Sequence, residues 1–243
     1  MATEAVTDPV VLHVRGLIER GALRPGDRLP AERDLARQIG VSRPTVRAGL
    51  HALAAMGVVR SRQGSGTFIP AGPPALAPEP LRFLAALHGF TRGDMYETRR
   101  LLEVGAAGLA ADRATPDQLA AMADEVTSLF AVMDDPQRFL VHDLDFHRAV
   151  AAGSGNPIVA TLIEMVSALY YEQRRKTALR AANRDLRAAA EAHRRIYQAI
   201  RARDPDAARR AMHDHLVEAS RFQAQERGSE RDALRVRRRR TAS

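Results

Sequence analysis

The stretch from Leu29 to Phe68, LPAERDLARQIGVSRPTVRAGLHALAAMGVVRSRQGSGTF, admits few folds. From Ala31 to Ile39 the apolar residues Leu35, Ala36 and Ile39 fall at the spacing of a short amphipathic helix, which Gly40 stops. Val41 and Ser42 leave room only for a tight turn. Ser42 is a good N-cap for a second helix, whose first turn tolerates Pro44 because the missing amide would have no partner there. That helix is expected to run to about Met56, with Val46, Leu50, Leu53 and Ala54 on its apolar side and Arg43, Thr45 and Arg47 at its exposed leading end. Two helices joined so tightly, the second led by basic and hydroxyl side chains, imply a helix-turn-helix that offers its second helix to a major groove.

The next residues extend that motif. Gly57 should end the helix, Val58 to Ser61 and Thr67 to Ile69 read as two short strands, and Arg62 to Gly66 connect them as a wing. Glycine at the wing tip lets backbone approach phosphate closely, and Arg60 and Arg62 supply charge beside it. The candidate DNA contacts are therefore Arg33, Ser42, Arg43, Thr45, Arg47 and Gly64. Through LRPGDRLPAERDLA, GVSRPTVRAGLHAL and QGSGTF, residues 1–70 resemble the winged-helix domain of the GntR family of bacterial transcription regulators. In front of the motif, Val10, Val11, Val14, Leu17 and Ile18 mark a helix closed by Gly21, and the resemblance gives it a scaffold role.

A chain of 243 residues with 45% apolar content can bury more core than this head needs. We expect a linker over 71–80, dense in proline, then a helical effector-binding and dimerisation domain over 81–228 and a basic, disordered tail over 229–243. The net charge of +8 favours a polyanionic partner, although an arginine bias throughout the chain would produce the same sum. Cysteine is absent, which excludes disulfides and thiolate metal sites. No apolar run approaches the roughly 20 residues that span a bilayer, and no signal-peptide layout opens the chain, so a cytoplasmic protein without a membrane partner is expected.

After Ile69 no stretch alternates with period two, and the fold class expected is mainly α: a winged helix-turn-helix followed by an all-α bundle. The expected helices are Leu81 to His88, Asp94 to Ala114, Pro116 to Met133, Pro136 to Ala152, Pro157 to Leu179, Arg184 to Arg203 and Pro205 to Arg227. Thr115-Pro116, Asp135-Pro136, Asn156-Pro157 and Asp204-Pro205 each set a cap residue before a proline at the first helical position.

Asp143 and His147, four residues apart, share a helix face with Leu140, Leu144, Val150 and Ala151, so both point inward. His193 falls in the stripe Ala189, His193, Ile196, Ile200, and His215 in Ala208, Met212, His215, Leu216, Ala219. His142, Asp145 and His213 leave these stripes and are expected in solvent. An inward carboxylate and three inward imidazoles are costly to bury unsatisfied and suggest a metal site of mixed oxygen and nitrogen ligands; singly, each His would be a hydrogen-bonded core residue. Spacing alone does not make them converge. The ligand types suit zinc first, with nickel or manganese open as alternatives.

GDMYETRRLLEVGAAGLAA, HDLDFHRAVAAGSGNP, EAHRRIYQAI and AMHDHL resemble successive signatures of the FCD domain, the effector-binding domain of the FadR branch of the same family. The resemblance implies that Asp143, His147, His193 and His215 bind a divalent metal and that Arg99 lines the effector cavity. Arg99 shares the stripe Met95, Arg99, Leu102, Ala106, with Glu103 on its flank; it could grip a carboxylate by two hydrogen bonds or simply pair with Glu103 one turn on. Glu103, Asn156 and Tyr170 are further cavity candidates. The implied function is a DNA-binding regulator, a homodimer on a palindromic double-stranded operator, released as a repressor by a small organic acid. A constitutive regulator with a purely structural second domain and a metal-dependent hydrolase are the alternatives. A pyridoxal-phosphate chimera is disfavoured because Lys176 is the only lysine and the second domain lacks α/β alternation.

Overall fold

The computed structural model describes residues 8–71, 79–175 and 183–221. The chain divides into two compact units, Met1–Glu79 and Pro80–Ser243. Residues 72–78 of the expected linker and all of the expected tail lie outside the described residues.

The first unit holds α1 (Asp8–Glu19), α2 (Glu32–Ile39), α3 (Arg43–Ala55) and a ribbon of β1 (Arg60–Arg62) and β2 (Gly66–Phe68). Gly40 closes α2 in the left-handed conformation, φ 78°, which glycine adopts without strain. Ser42 caps α3 by accepting from the Thr45 backbone N–H at 3.3 Å. Val10, Val14, Leu35, Val46, Leu50, Leu53, Val59 and Ile69 form the core of this unit. Ala54, expected on the buried side of α3, is exposed; Gly49 takes that place beside Leu50. Glycine is needed there because a Cβ would stand 2.5 Å from Val10 Cβ, so its absence lets α1 and α3 approach.

The wing is an antiparallel pair with register Arg60↔Phe68, Ser61↔Thr67 and Arg62↔Gly66. It starts later than the sequence suggests, because Val59 is buried in the core of the unit and does not enter the ribbon. Only Gln63, Gly64 and Ser65 are left to turn the chain, with Ser65 N–H donating to Arg62 O at 3.0 Å and Gly64 at φ 73°.

The second unit is all helical among its described residues: α4 (Glu79–His88), α5 (Arg92–Arg113), α6 (Pro116–Ala131), α7 (Pro136–Gly153), α8 (Pro157–Arg175), α9 (Asn183–Arg201) and α10 (residues 205–221). Local caps start most of these helices. Thr91 with Asp94 and Thr115 with Gln118 form reciprocal capping boxes on α5 and α6. Asp135 caps α7, and Asp204 Oδ1 accepts from Ala207 N–H at the head of α10. The main core joins Ala107, Ala110 and Ala111 of α5, Met122 and Val126 of α6, Phe146 and Val150 of α7, Ile196 and Ile200 of α9, and Met212 and Leu216 of α10. Alanine on α5 brings its neighbours close enough for large residues to fill the space from the other side. At the corner between α9 and α10, Arg203 takes φ 57° and its guanidinium donates to Ala111 O at 3.0 Å and Ala114 O at 2.6 Å, capping the end of α5.

Candidate nucleic-acid interface and metal centre

On the first unit, Arg33, Ser42, Arg43 and Arg47 are exposed and Thr45 is half-buried. Three of these side chains are held by hydrogen bonds. Ser42 Oγ and Thr45 Oγ1 lie 2.8 Å apart, and Arg47 donates from Nε and Nη2 to the two carboxylate oxygens of Glu32 at 3.2 and 2.7 Å. Glu32 sits in the first turn of α2, so this pair ties the two helices of the motif and fixes the direction of the Arg47 fork. The Arg47 hydrogen bond holds the Glu32 carboxyl below its ordinary range, against the opposing effect of partial burial. In the wing, the Arg62 guanidinium lies over the Phe68 ring at 5.3 Å from its centroid. Glu32 was not evident as a functional residue from the sequence, since its partner is 15 positions away.

In the second unit the four inward residues come together. One ligand atom from each of Asp143, His147, His193 and His215 lies within 4.8 Å of the others. The three imidazoles are buried, and Asp143 keeps 14% of its side chain open. His193 Nδ1 lies 2.7 Å from Ala189 O, one turn back in α9, which makes Nδ1 the protonated nitrogen and leaves Nε2 with its lone pair. That Nε2 is 3.2 Å from Asp143 Oδ1 but outside hydrogen-bond geometry, and among the described residues both it and His147 Nδ1 are buried nitrogens without a hydrogen bond. His147 Nδ1 stands 2.5 Å from Glu103 Oε2, turning its Nε2 toward His215 Nε2 at 3.3 Å. Phe146 packs edge-on against His147 and His193 and keeps water from one side of the group.

The electrostatics suit a cation. Burial pushes the His215 imidazole well below its ordinary value, and the neighbouring His193 and His147 add to that, so it stays neutral and able to ligate. Burial works against Asp143 ionising, but its contact with His193 and the charges of His193, His147 and Arg99 outweigh it, holding the carboxyl well below the usual range. An ionised carboxylate beside three imidazole rings, that of His215 neutral, with a second carboxylate behind His147, is the kind of donor set and outer support that a divalent ion takes in proteins.

Arg99 and Glu103 occupy the middle of the buried face of α5. Of the two readings of Arg99, the structure shows the pairing with Glu103. Its Nε donates to Glu103 Oε1 at 2.6 Å and its Nη2 to Oε2 at 3.4 Å, while its Cζ lies 4.4 Å from the centroid of the Tyr170 ring. Nη1 takes no part in the two bonds to Glu103. Glu103 is only 1% exposed, central and not flanking; burial raises its carboxyl, but Arg99 and His147 bring it down to about 2. Tyr170 OH lies 3.2 Å from Tyr96 OH, a partner on α5 that the sequence reading missed because aromatic residues on a helix stripe read as plain core. Asn156 stands apart from this group: its Oδ1 accepts from Ile158 and Val159 N–H as the cap of α8, and among the described residues no hydrogen bond joins it to the four ligand candidates.

Of the three residues expected in solvent, His213 is exposed beside Asp214. His142 is instead half-buried, with Nδ1 2.8 Å from Glu125 Oε2 on α6, because α6 packs along the side of α7 that the stripe left open. Asp145 is paired too, accepting from Arg148 Nη1 at 2.9 Å while Arg148 also grips Glu164 of α8.

A winged helix-turn-helix joined to an α-helical unit that buries a polar cluster is the architecture of a DNA-binding transcription regulator with a second, helical domain. Residues 7–69 match the bacterial regulatory proteins of the gntR family, and residues 94–218 match the FCD domain. The chain belongs to the GntR family and carries a C-terminal FCD domain, as do regulators of the FadR type. It is 34% identical over 204 residues to the HTH-type transcriptional regulator LutR of Bacillus subtilis, covering 83% of this chain and 93% of that one. It is 31% identical over 229 residues to the HTH-type transcriptional repressor NanR of Klebsiella aerogenes, covering 90% and 86% of the two chains. A solved GntR structure from Streptococcus agalactiae superposes with a TM-score of 0.68 at 30% identity, covering 90% of this chain and all of that one. These relatives are named as regulators, not enzymes, and FCD domains are known to bind metals. No helix among the described residues is long and apolar enough to cross a membrane.

Proposed function

We propose that this regulator is a repressor that binds a palindromic operator as a homodimer and is released by a small organic acid bound beside a divalent metal. The observation that carries the sensing half is the convergence of Asp143, His147, His193 and His215 from three different helices. Zinc is the first choice for the ion, with nickel and manganese next. Arg99 supplies a cation beside that cluster and, through Nη1, a donor for an acid's carboxylate; Tyr170 and Glu103 hold the guanidinium from either side.

Arg33, Arg43, Thr45 and Arg47 make the phosphate and base contacts, with Ser42 at the helix start and Gly64 at the wing. The homodimer is supported by large apolar side chains left open on two packed helices of the second unit, Leu101 on α5 and Ile158 and Leu162 on α8. The output as repression follows the name of the NanR relative. Release requires that the acid bind the DNA-incompetent dimer more tightly than the competent one.

The test is an electrophoretic shift of the zinc-loaded chain on its own upstream DNA, with and without small carboxylic acids. Binding should disappear when Arg43 and Arg47 are both changed to alanine and should weaken with the effective acid. Unchanged binding by the double variant removes the DNA-reading assignment, and calorimetry showing no coupling between any acid and DNA removes the sensing one.

A further inference from the structure

Ser167 on α8 is 1% exposed, and among the described residues its hydroxyl has no hydrogen-bond partner. A buried hydroxyl without a partner is disfavoured, and nothing in the fold requires it, since alanine would occupy the same space. The packing fixes what Ser167 faces. At one end of its stripe, Tyr170 packs with Tyr96 of α5 and Leu140 of α7. At the other, Ile163 packs with Ala106 of α5 and Ala151 of α7. Helix α8 therefore runs antiparallel to α5 and α7, and the residues between these two layers meet each other. From the Tyr96, Leu140, Tyr170 layer, a step of three residues, about 4.5 Å of helix rise, leads to Arg99 on α5, Asp143 on α7 and Ser167 on α8. The orphan hydroxyl thus shares a layer with the buried cation and with the carboxylate of the ligand cluster.

We infer that Ser167 is an effector-contacting residue: its hydroxyl hydrogen-bonds an oxygen of a small hydroxy acid whose carboxylate is held by Arg99 and the metal. This rests on the acid-sensing reading above and deepens it. An acid that turned hydrocarbon toward α8 would leave the hydroxyl as unsatisfied as before, whereas an oxygen there relieves it. The site then discriminates acids by the group they present to α8, favouring a hydroxy acid over its plain counterpart.

The experiment compares wild type with Ser167→Ala as full-length, zinc-loaded chains, with propionate, 2-hydroxypropionate and citrate as probes. Without acid, the variant should unfold at a higher urea concentration than wild type, because an unpaired buried hydroxyl is removed. With acid, the wild type should bind 2-hydroxypropionate or citrate in preference to propionate by about tenfold or more, and the variant should lose that preference. A variant less stable than wild type without acid shows that the hydroxyl has a partner in the protein and overturns the inference. Acid binding that Ser167→Ala leaves unchanged overturns the contact while the sensing reading stands. A wild type that binds none of the three probes removes the acid-sensing reading and this contact with it.

Discussion

Glu103 is the residue on which two functions meet, and Glu103→Gln separates them. The carboxylate neutralises buried Arg99 through contacts of 2.6 and 3.4 Å and faces His147 Nδ1 at 2.5 Å. Glutamine has nearly the same shape but no charge, and one of its two acceptor atoms becomes a donor pointing at a guanidinium or an imidazole N–H. Removing one partner of a buried ion pair costs about 3–5 kcal/mol, because the other charge is left uncompensated. Arg99 keeps the face of Tyr170 at 4.4 Å and the more distant charge of Asp143, which places the expected loss at the low end. About 3 kcal/mol in a helical unit of this size lowers the thermal midpoint by roughly 6–12 °C. If His147 ligates a metal, loss of the carboxylate charge behind it should weaken that affinity by about 10- to 100-fold. Scanning calorimetry of the metal-free chain reads the first effect, and zinc titration against a competing chelator reads the second. A midpoint within about 2 °C of wild type, on the same scale, would refute the claim that Glu103 carries the charge balance of the helical unit. Unaltered zinc affinity would refute its role behind His147.

Three further outcomes follow from the geometry. Gly49→Ala gains about 1 kcal/mol of helix propensity but places a Cβ 2.5 Å from Val10 Cβ, and overpacking of about 1–3 kcal/mol should win; faster hydrogen exchange of α1 and α3 amides would show it, and slower exchange would contradict it. His193→Ala should abolish retention of stoichiometric zinc through gel filtration, and retention equal to wild type would take His193 out of the ligand set. The Glu32 carboxyl should titrate below its ordinary value of 4.5, so its tether to Arg47 persists above that pH and is released as pH falls through the lowered value; carbon NMR should return the midpoint toward 4.5 in Arg47→Ala, and no movement would break the link.

Sequence was most informative where structure is decided locally. Ser42, Thr115, Asp135, Asn156 and Asp204 start their helices as their residue types and the following prolines suggest, and the apolar spacing around His147, His193 and His215 correctly turned those imidazoles inward. What helical spacing cannot encode is the neighbour supplied by a different helix. His142 seemed to belong in water until Glu125 arrived from α6, and Arg47 seemed free until Glu32 reached across from α2. Ala54 failed for the opposite reason, since Gly49, which has no side chain to mark an apolar face, is the contact point for α1. The choice between a paired and a ligand-gripping Arg99 was open in the sequence because a guanidinium has more donors than the two that Glu103 takes.

The Arg203 clasp has a mechanical consequence. The bend it occupies joins the helix bearing His193 to the helix bearing His215, and its fork is fastened to the far end of the helix bearing Arg99. Those last two rods and the tail of α5 are therefore tied at a single knot, and the open Leu101 stands on the same α5 rod.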